Sequence, residues 1–297
     1  MIMSQIIEIK HGNTTAKIST AGAEIISFKG KDGKEHIWQA DPQVWGRHAP
    51  VLFPVVCAVK NNTAIIDGVS YPMTKHGFVR DWEYVVAEKR EDMIDLAAII
   101  PENSKEVYPF DYELHVIFKV SVESFECRFK VINKSEKMMP FCIGGHPAFV
   151  CPMEDGCCFE EYEVVFSEKE SGERAVLTPD GEICGREFYE PLKDNGRFKL
   201  DYAFFDANDT LILPALKSRS VKLINPKSGK GIKFDFAGMP VLAIWTKSSA
   251  RPDYVCLEPW QGLPAGIDES SVLEDKPFAV KLEAGGTYET GFSAEII

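Results

Sequence analysis

Three segments of this chain carry the residue types that proton transfer requires. Gly144-Gly145-His146-Pro147-Ala148-Phe149 follows the apolar stretch Pro140-Phe141-Cys142-Ile143. It places a histidine at a strand end, between glycines that let a ligand approach and a proline that fixes the exit. With an unperturbed pKa of about 6.5, such a histidine has both protonation states within reach near neutrality. Lys75-His76-Gly77-Phe78-Val79-Arg80-Asp81 sets a second histidine before a glycine in a strand-to-loop context. In Leu257-Glu258-Pro259-Trp260-Gln261-Gly262 a carboxylate ends the apolar run Tyr254-Val255-Cys256-Leu257. An imidazole and a carboxylate brought together can serve as general acid and general base, each contributing about 10² to 10⁴ in rate. Taken singly, the segments also have plain structural explanations: a turn histidine, a rim carboxylate paired with Lys or Arg, a core tryptophan.

The elements that must position these groups are strands. Apolar residues recur with period two over 6–10, 16–19, 24–28, 93–99, 112–122, 125–132, 162–166, 221–223, 232–236 and 241–245. Between them lie turn signals such as His11-Gly12-Asn13, Asp67-Gly68, Pro179-Asp180-Gly181 and Ala284-Gly285-Gly286, whose residues accept the positive φ of hairpin turns. The only helical turn the pattern predicts is 102–107, stopped by Pro109. So many strands in one flat sheet would leave long open edges, so the pattern predicts an all-β fold, a large antiparallel β-sandwich of two sheets packed face to face.

All-β sandwiches commonly reach 297 residues as one unit, and residues 1–297 are expected to form a single domain. Hydrophobic residues make up 45% of the chain, enough for a sizeable core. The net charge of −12 comes without a basic stripe, which argues against a nucleic-acid partner. No stretch approaches the roughly 18 consecutive apolar residues that span a bilayer, and residues 1–10 lack a signal peptide's basic region and apolar core. A cytoplasmic location is expected, with no membrane partner. The eight cysteines are then expected as reduced thiols. No Cys-x-x-Cys pair supports a zinc site, so no metal is expected.

In this order, the three segments resemble the aldose 1-epimerase (galactose mutarotase-like) family, and within it the LacX-like subgroup. Ala49-Pro50-Val51-Leu52-Phe53-Pro54 resembles the family's Pro-x-Leu-Phe-Pro block, and Tyr108-Pro109-Phe110 its segment before a long hairpin. Residues 133–149 resemble the stretch leading from an Asn-containing turn to the Gly-x-His-Pro-x-Phe histidine. The resemblance covers nearly the whole chain and implies the family's antiparallel supersandwich, with a sugar cleft on one concave sheet face.

It also implies a reaction: exchange of the α and β anomers of a free hexose by ring opening and closure. Glu258 matches the family's base and His146 its acid, while His76 matches a donor that holds the ring oxygen; no cofactor is implied. Asp209 resembles the sugar-binding aspartate, with Asp206 as a competing match. Trp260 and Phe149 are candidate apolar faces for the sugar. Where relatives carry a Gly-Arg or Asn-Arg after the Leu-Phe-Pro block, this chain has Cys57-Ala58, which moves the cationic role to Lys60 or Arg47, with Arg80 a further cation. With so few cations near the motifs, a neutral hexose is expected over a hexose 6-phosphate. A carbohydrate-binding or sugar-sensing protein without efficient turnover is the reading from a different class. The expected partner is a small sugar, and the expected state a monomer or weak homodimer.

Overall fold

The clearest alternation builds the longest hairpin. Strands Tyr112–Ser121 and Ser124–Asn133 pair over ten residues each. Leu114, Val116, Phe118 and Val120, with Phe125, Cys127, Phe129 and Val131, are buried on one face. Burying each large side chain of this set stabilises the fold by about 1.5 to 3 kcal/mol. This computed structural model describes residues 4–297. Residues 1–3, the start of the stretch inspected for a targeting signal, lie outside the described residues.

Around the hairpin runs a nine-stranded antiparallel sheet. Its order is Arg197–Lys199, Glu163–Phe166, Ser220–Ile224, Gly231–Asp235, Thr287–Ile296, Ser124–Asn133, Tyr112–Ser121, Met93–Ala98 and Tyr84–Lys89. The second large sheet has eight strands: Ile183–Phe188, Glu173–Leu177, Thr210–Leu213, Val241–Trp245, Tyr254–Gln261, Ile143–Gly145 and Val51–Leu52, with Ala148–Val150 also paired to Tyr254–Gln261. Rings from the two sheets meet in the core, as where Phe149 of the second sheet packs edge-on against Phe234 of the first at 5.7 Å. The expected large antiparallel sandwich is therefore the observed architecture. A smaller three-stranded sheet, Ile6–His11, Thr14–Ser19 and Glu24–Lys29, covers one flank.

Two expectations are corrected. Residues 102–107 are not the only helical turn: that segment holds a 3₁₀ helix, Glu102–Glu106, and two short α-helices appear at Glu190–Asn195 and Tyr202–Asn208. Neither is long enough to display a 3.6-residue period. Their signals are local instead. Asp201 caps the second helix by accepting from Ala203 N, and the first has Pro191 at its start and Gly196 just past its end. Glu258 was expected to end a strand, yet the strand runs on through Pro259 to Gln261. No helix among the described residues is long and apolar enough to cross a membrane, and all eight cysteines are free.

Candidate active site

Register brings His146 and Glu258 together. Strand Tyr254–Gln261 pairs with Ala148–Val150 through Ala148 opposite Cys256, and with Ile143–Gly145 through Gly144 opposite Trp260. Both ladders keep one register, so His146, in the gap between them, falls opposite Glu258. At the gap Leu257 N–H donates to Pro147 O at 3.2 Å. Pro259 has its nitrogen on the same side, where the partner strand is interrupted, so its missing N–H leaves no ladder bond broken. Tyr254, Cys256, Glu258 and Trp260 alternate onto one face. His146 Nε2 lies 3.1 Å from Glu258 Oε2 without the alignment of a hydrogen bond; Oε2 and His146 Nδ1 are buried and lack any hydrogen-bond partner. The glycines before His146 serve the protein's own rings and not a ligand: a Cβ on Gly144 would lie 2.7 Å from Trp260 Cδ1, and one on Gly145 2.5 Å from Phe292 Cε1.

His76 arrives from another part of the chain and is held by its backbone. Its N–H donates to Cys57 O at 2.9 Å, and Cys57 N–H donates to His76 Nδ1 at 3.0 Å. Because Nδ1 must offer its lone pair to that N–H, the ring proton of neutral His76 sits on Nε2, leaving a donor for the pocket. His76 and Gly77 both adopt positive φ (66° and 69°), a conformation rare for a histidine. The rings of His76 and His146 meet edge to face at 5.6 Å.

A third segment supplies the wall. The buried Glu24 carboxylate accepts from His48 N and Ala49 N, both at 2.6 Å, and Trp38 Nε1 donates to Trp45 O. These bonds fix the loop carrying Trp45 and Arg47. Trp45 stacks on His146 at 5.0 Å, and Trp245 meets His146 edge-on at 5.6 Å. Together these groups enclose a cavity of about 270 Å³, lined among others by Trp45, Arg47, Lys75, His76, Arg80 and Asp209, with His146, Trp245, Glu258 and Trp260. Its mouth continues, past Lys75, Asp209 and Trp245, into an open polar groove.

Burial governs the protonation of the pair. It pulls His146 down to about 3, with Lys75, Arg80 and Arg47 acting in the same direction. His76 is likewise pushed well below the ordinary histidine value by burial and by the neighbouring His146, Lys75, Arg80 and Arg47. Glu258 moves well above the usual carboxylate range, chiefly through burial and with help from Asp209, while Lys75 opposes the shift. Burial thus favours the neutral form of both members of the pair, with the proton they share on Glu258.

The structure sorts the remaining candidates. Arg47, Asp209 and Trp260 line the cavity, whereas Asp206 faces solvent and forms a fork with Arg251 at 3.0 and 2.6 Å. Lys60 does not reach the cavity: its 3₁₀ turn directs Nζ to Ile267 O at 2.8 Å and Glu269 O at 3.3 Å. Phe149 is core and not a sugar face. Sequence reasoning missed Lys75, Trp45 and Trp245. Lys75 was visible as the neighbour of His76; the tryptophans reach the site through contacts that no local pattern encodes.

A two-sheet antiparallel sandwich whose second sheet buries a histidine–carboxylate pair beside a small cavity is the architecture this chain shares with galactose mutarotase-like structures. The chain belongs to the aldose 1-epimerase family, whose model matches residues 5–270. It is 36% identical to the chromosomal LacX protein of Lactococcus lactis subsp. lactis over 98% of this chain and 99% of that protein. Among solved structures, a galactose mutarotase-related enzyme from Lactobacillus acidophilus superposes with a TM-score of 0.92 at 30% identity, over 99% of this chain and 97% of that one. A galactose mutarotase-like protein from Lactobacillus casei ATCC 334 gives 0.91 at 26% identity, over 99% of this chain and 100% of that one.

Proposed function

We propose that this protein is an aldose 1-epimerase acting on a free hexose. The observation that carries the reading is the buried His146–Glu258 contact at 3.1 Å at the base of the cavity. Anomer exchange moves one proton off O1 and one onto O5, and both oxygens are bonded to C1. Base and acid must therefore stand side by side. The separation is too short for a pyranose to lie between the two groups; the C1 edge of the sugar faces both instead.

Opening starts from the charged form of the pair, reached when the shared proton passes from Glu258 to His146, with Lys75 favouring the carboxylate. Glu258 takes the proton from O1–H, His146 gives its proton to O5, the C1–O5 bond breaks and O1 becomes the aldehyde oxygen. This step leaves Glu258 protonated and His146 neutral, the arrangement burial favours. Rotation about C1–C2 presents the other aldehyde face, and the reverse transfers close the ring to the other anomer. His76 Nε2–H is the donor toward the ring oxygen, and the tryptophans offer apolar faces to the sugar's C–H surface.

Following the optical rotation of freshly dissolved α-glucose and α-galactose with and without protein tests this. Acceleration proportional to protein concentration is expected. Sugar binding without acceleration would instead favour the binding or sensing reading.

A second reading, a hexose 6-phosphate, is favoured by the three cations lining the cavity. Arg47 is already paired with Asp81 at 2.5 Å, and Arg80 Nη2 donates to Lys75 O at 2.9 Å. Lys75 is the one of the three without an ion pair or hydrogen bond from its ammonium among the described residues, and a single Lys anchors phosphate less directionally than an Arg fork. The neutral sugar therefore leads. A preference of about tenfold or more in kcat/KM for glucose 6-phosphate, lost in Lys75→Ala, would reverse the order.

A further inference from the structure

Cys256 has no part in the proton exchange, yet it lies directly beside the pair that performs it. It sits two residues before Glu258 on one strand and projects to the same face, beneath Trp45 and Trp245. One donor atom from each of His146, Cys256 and Glu258 lies within 4.8 Å of the other two, and all three residues are buried. Two of the three already show unmet demand. Glu258 is 2% exposed and its Oε2 has no hydrogen-bond partner; His146 is 7% exposed and its Nδ1 has none.

We propose that His146, Cys256 and Glu258 form a reversible inhibitory site for a thiophilic divalent cation of the zinc class, which enters through the sugar cavity. A tetrahedral ion at about 2.0 to 2.3 Å from its ligands spaces them about 3.5 Å apart, within reach of small side-chain rotations here. The fourth position faces the cavity and takes water. Thiolate, imidazole and carboxylate together select zinc, cobalt or cadmium over magnesium and calcium, which require oxygen ligands. Thiolate and carboxylate also balance the ion's two charges. Arg47, Lys75 and Arg80 around the same cavity oppose a dication, which makes the ion a dissociable inhibitor and not a resident cofactor. The absence of a Cys-x-x-Cys pair is no obstacle, because the sheet register supplies the third ligand from 110 residues upstream of Cys256.

The probe is Co²⁺ added to chelator-treated protein carrying Cys158→Ser and Cys184→Ser, which removes the two exposed thiols. A thiolate-to-cobalt charge-transfer band at one ion per chain is expected, displaced by Zn²⁺ and unaffected by Mg²⁺. Zn²⁺ should inhibit anomer exchange competitively with the sugar. Adding Cys256→Ala should abolish the band, leave metal-free turnover unchanged and raise the inhibitory Zn²⁺ concentration on the order of tenfold or more. Glu258→Gln provides a second test of the band, should Cys256→Ala fold poorly. A missing band in the folded parent, or one that survives in folded Cys256→Ala, overturns the site. Full turnover with the band saturated overturns the inhibition. Inhibition rests on the epimerase reading and the cobalt spectrum does not, so the two fail separately.

Discussion

Glu258→Gln should separate catalysis from stability. Glutamine keeps the size and reach of Glu258 but exchanges no proton, so it removes the base while leaving the strand and its neighbours in place. The loss of a general base is worth about 10² to 10⁴ in rate, or roughly 3 to 5 kcal/mol of barrier. Stability should move little or rise. Glu258 is buried, its Oε2 is unpartnered and its charged form is disfavoured there, whereas an amide NH₂ can donate to neutral His146 Nε2 across the present 3.1 Å. A change within about 1 kcal/mol of wild type, or a gain, is expected from replacing this group with a neutral isostere. The assay is anomer exchange by NMR at equal folded concentration, with the spontaneous rate subtracted, alongside calorimetric unfolding. Wild-type turnover in the variant would show that another group is the base. A large fall in Tm accompanying the loss would make Glu258 a structural residue.

Because burial holds His146 at about 3, kcat/KM for a neutral hexose should show no acid-side break between about pH 5 and 8, where an ordinary histidine would titrate; a break near 6.5 would contradict the neutral pair. The same shift bears on stability: between about 6.5 and 3 the unfolded chain binds a proton at this position that the folded chain refuses, so stability is full above that window and falls with pH inside it. His146→Asn should flatten that slope in Tm-versus-pH scans. Asn133→Ala should cost about 2 to 4 kcal/mol in urea unfolding, because Asn133 is fully buried and its Nδ2 donates to Lys137 O, Leu282 O and Glu283 O. Gly77→Ala should lower both Tm and turnover, since its Cβ would stand 1.9 Å from Phe53 O on a backbone with φ of 69°, one residue from His76; unchanged turnover would mean His76 does not need this backbone.

Legibility followed burial. Strands with one covered face, such as Tyr112–Ser121, show the alternation that identifies them. Thr210–Leu213 and most of Tyr254–Gln261 are buried on both faces, so no period marks them and Pro259 reads as a stop. The histidines and the glutamate were visible because their chemistry is carried by residue type. Lys60 shows where proximity along the chain fails as a guide to proximity in space: a single 3₁₀ turn redirects it, while the cations that line the cavity come from residues 47, 75 and 80.

The way the second sheet gathers its strands has a kinetic consequence. Val51–Leu52 pairs with Ile143–Gly145, which pairs in turn with Tyr254–Gln261, so neighbouring strands at the site lie on the order of a hundred residues apart, the non-local pattern that folds slowly. The hairpin of Tyr112–Ser121 with Ser124–Asn133 closes locally and can form early. During refolding, strand signal should therefore return before turnover does. No fragment lacking one of these three strands should retain weak activity, which makes anomer exchange a stringent reporter of the completed sheet.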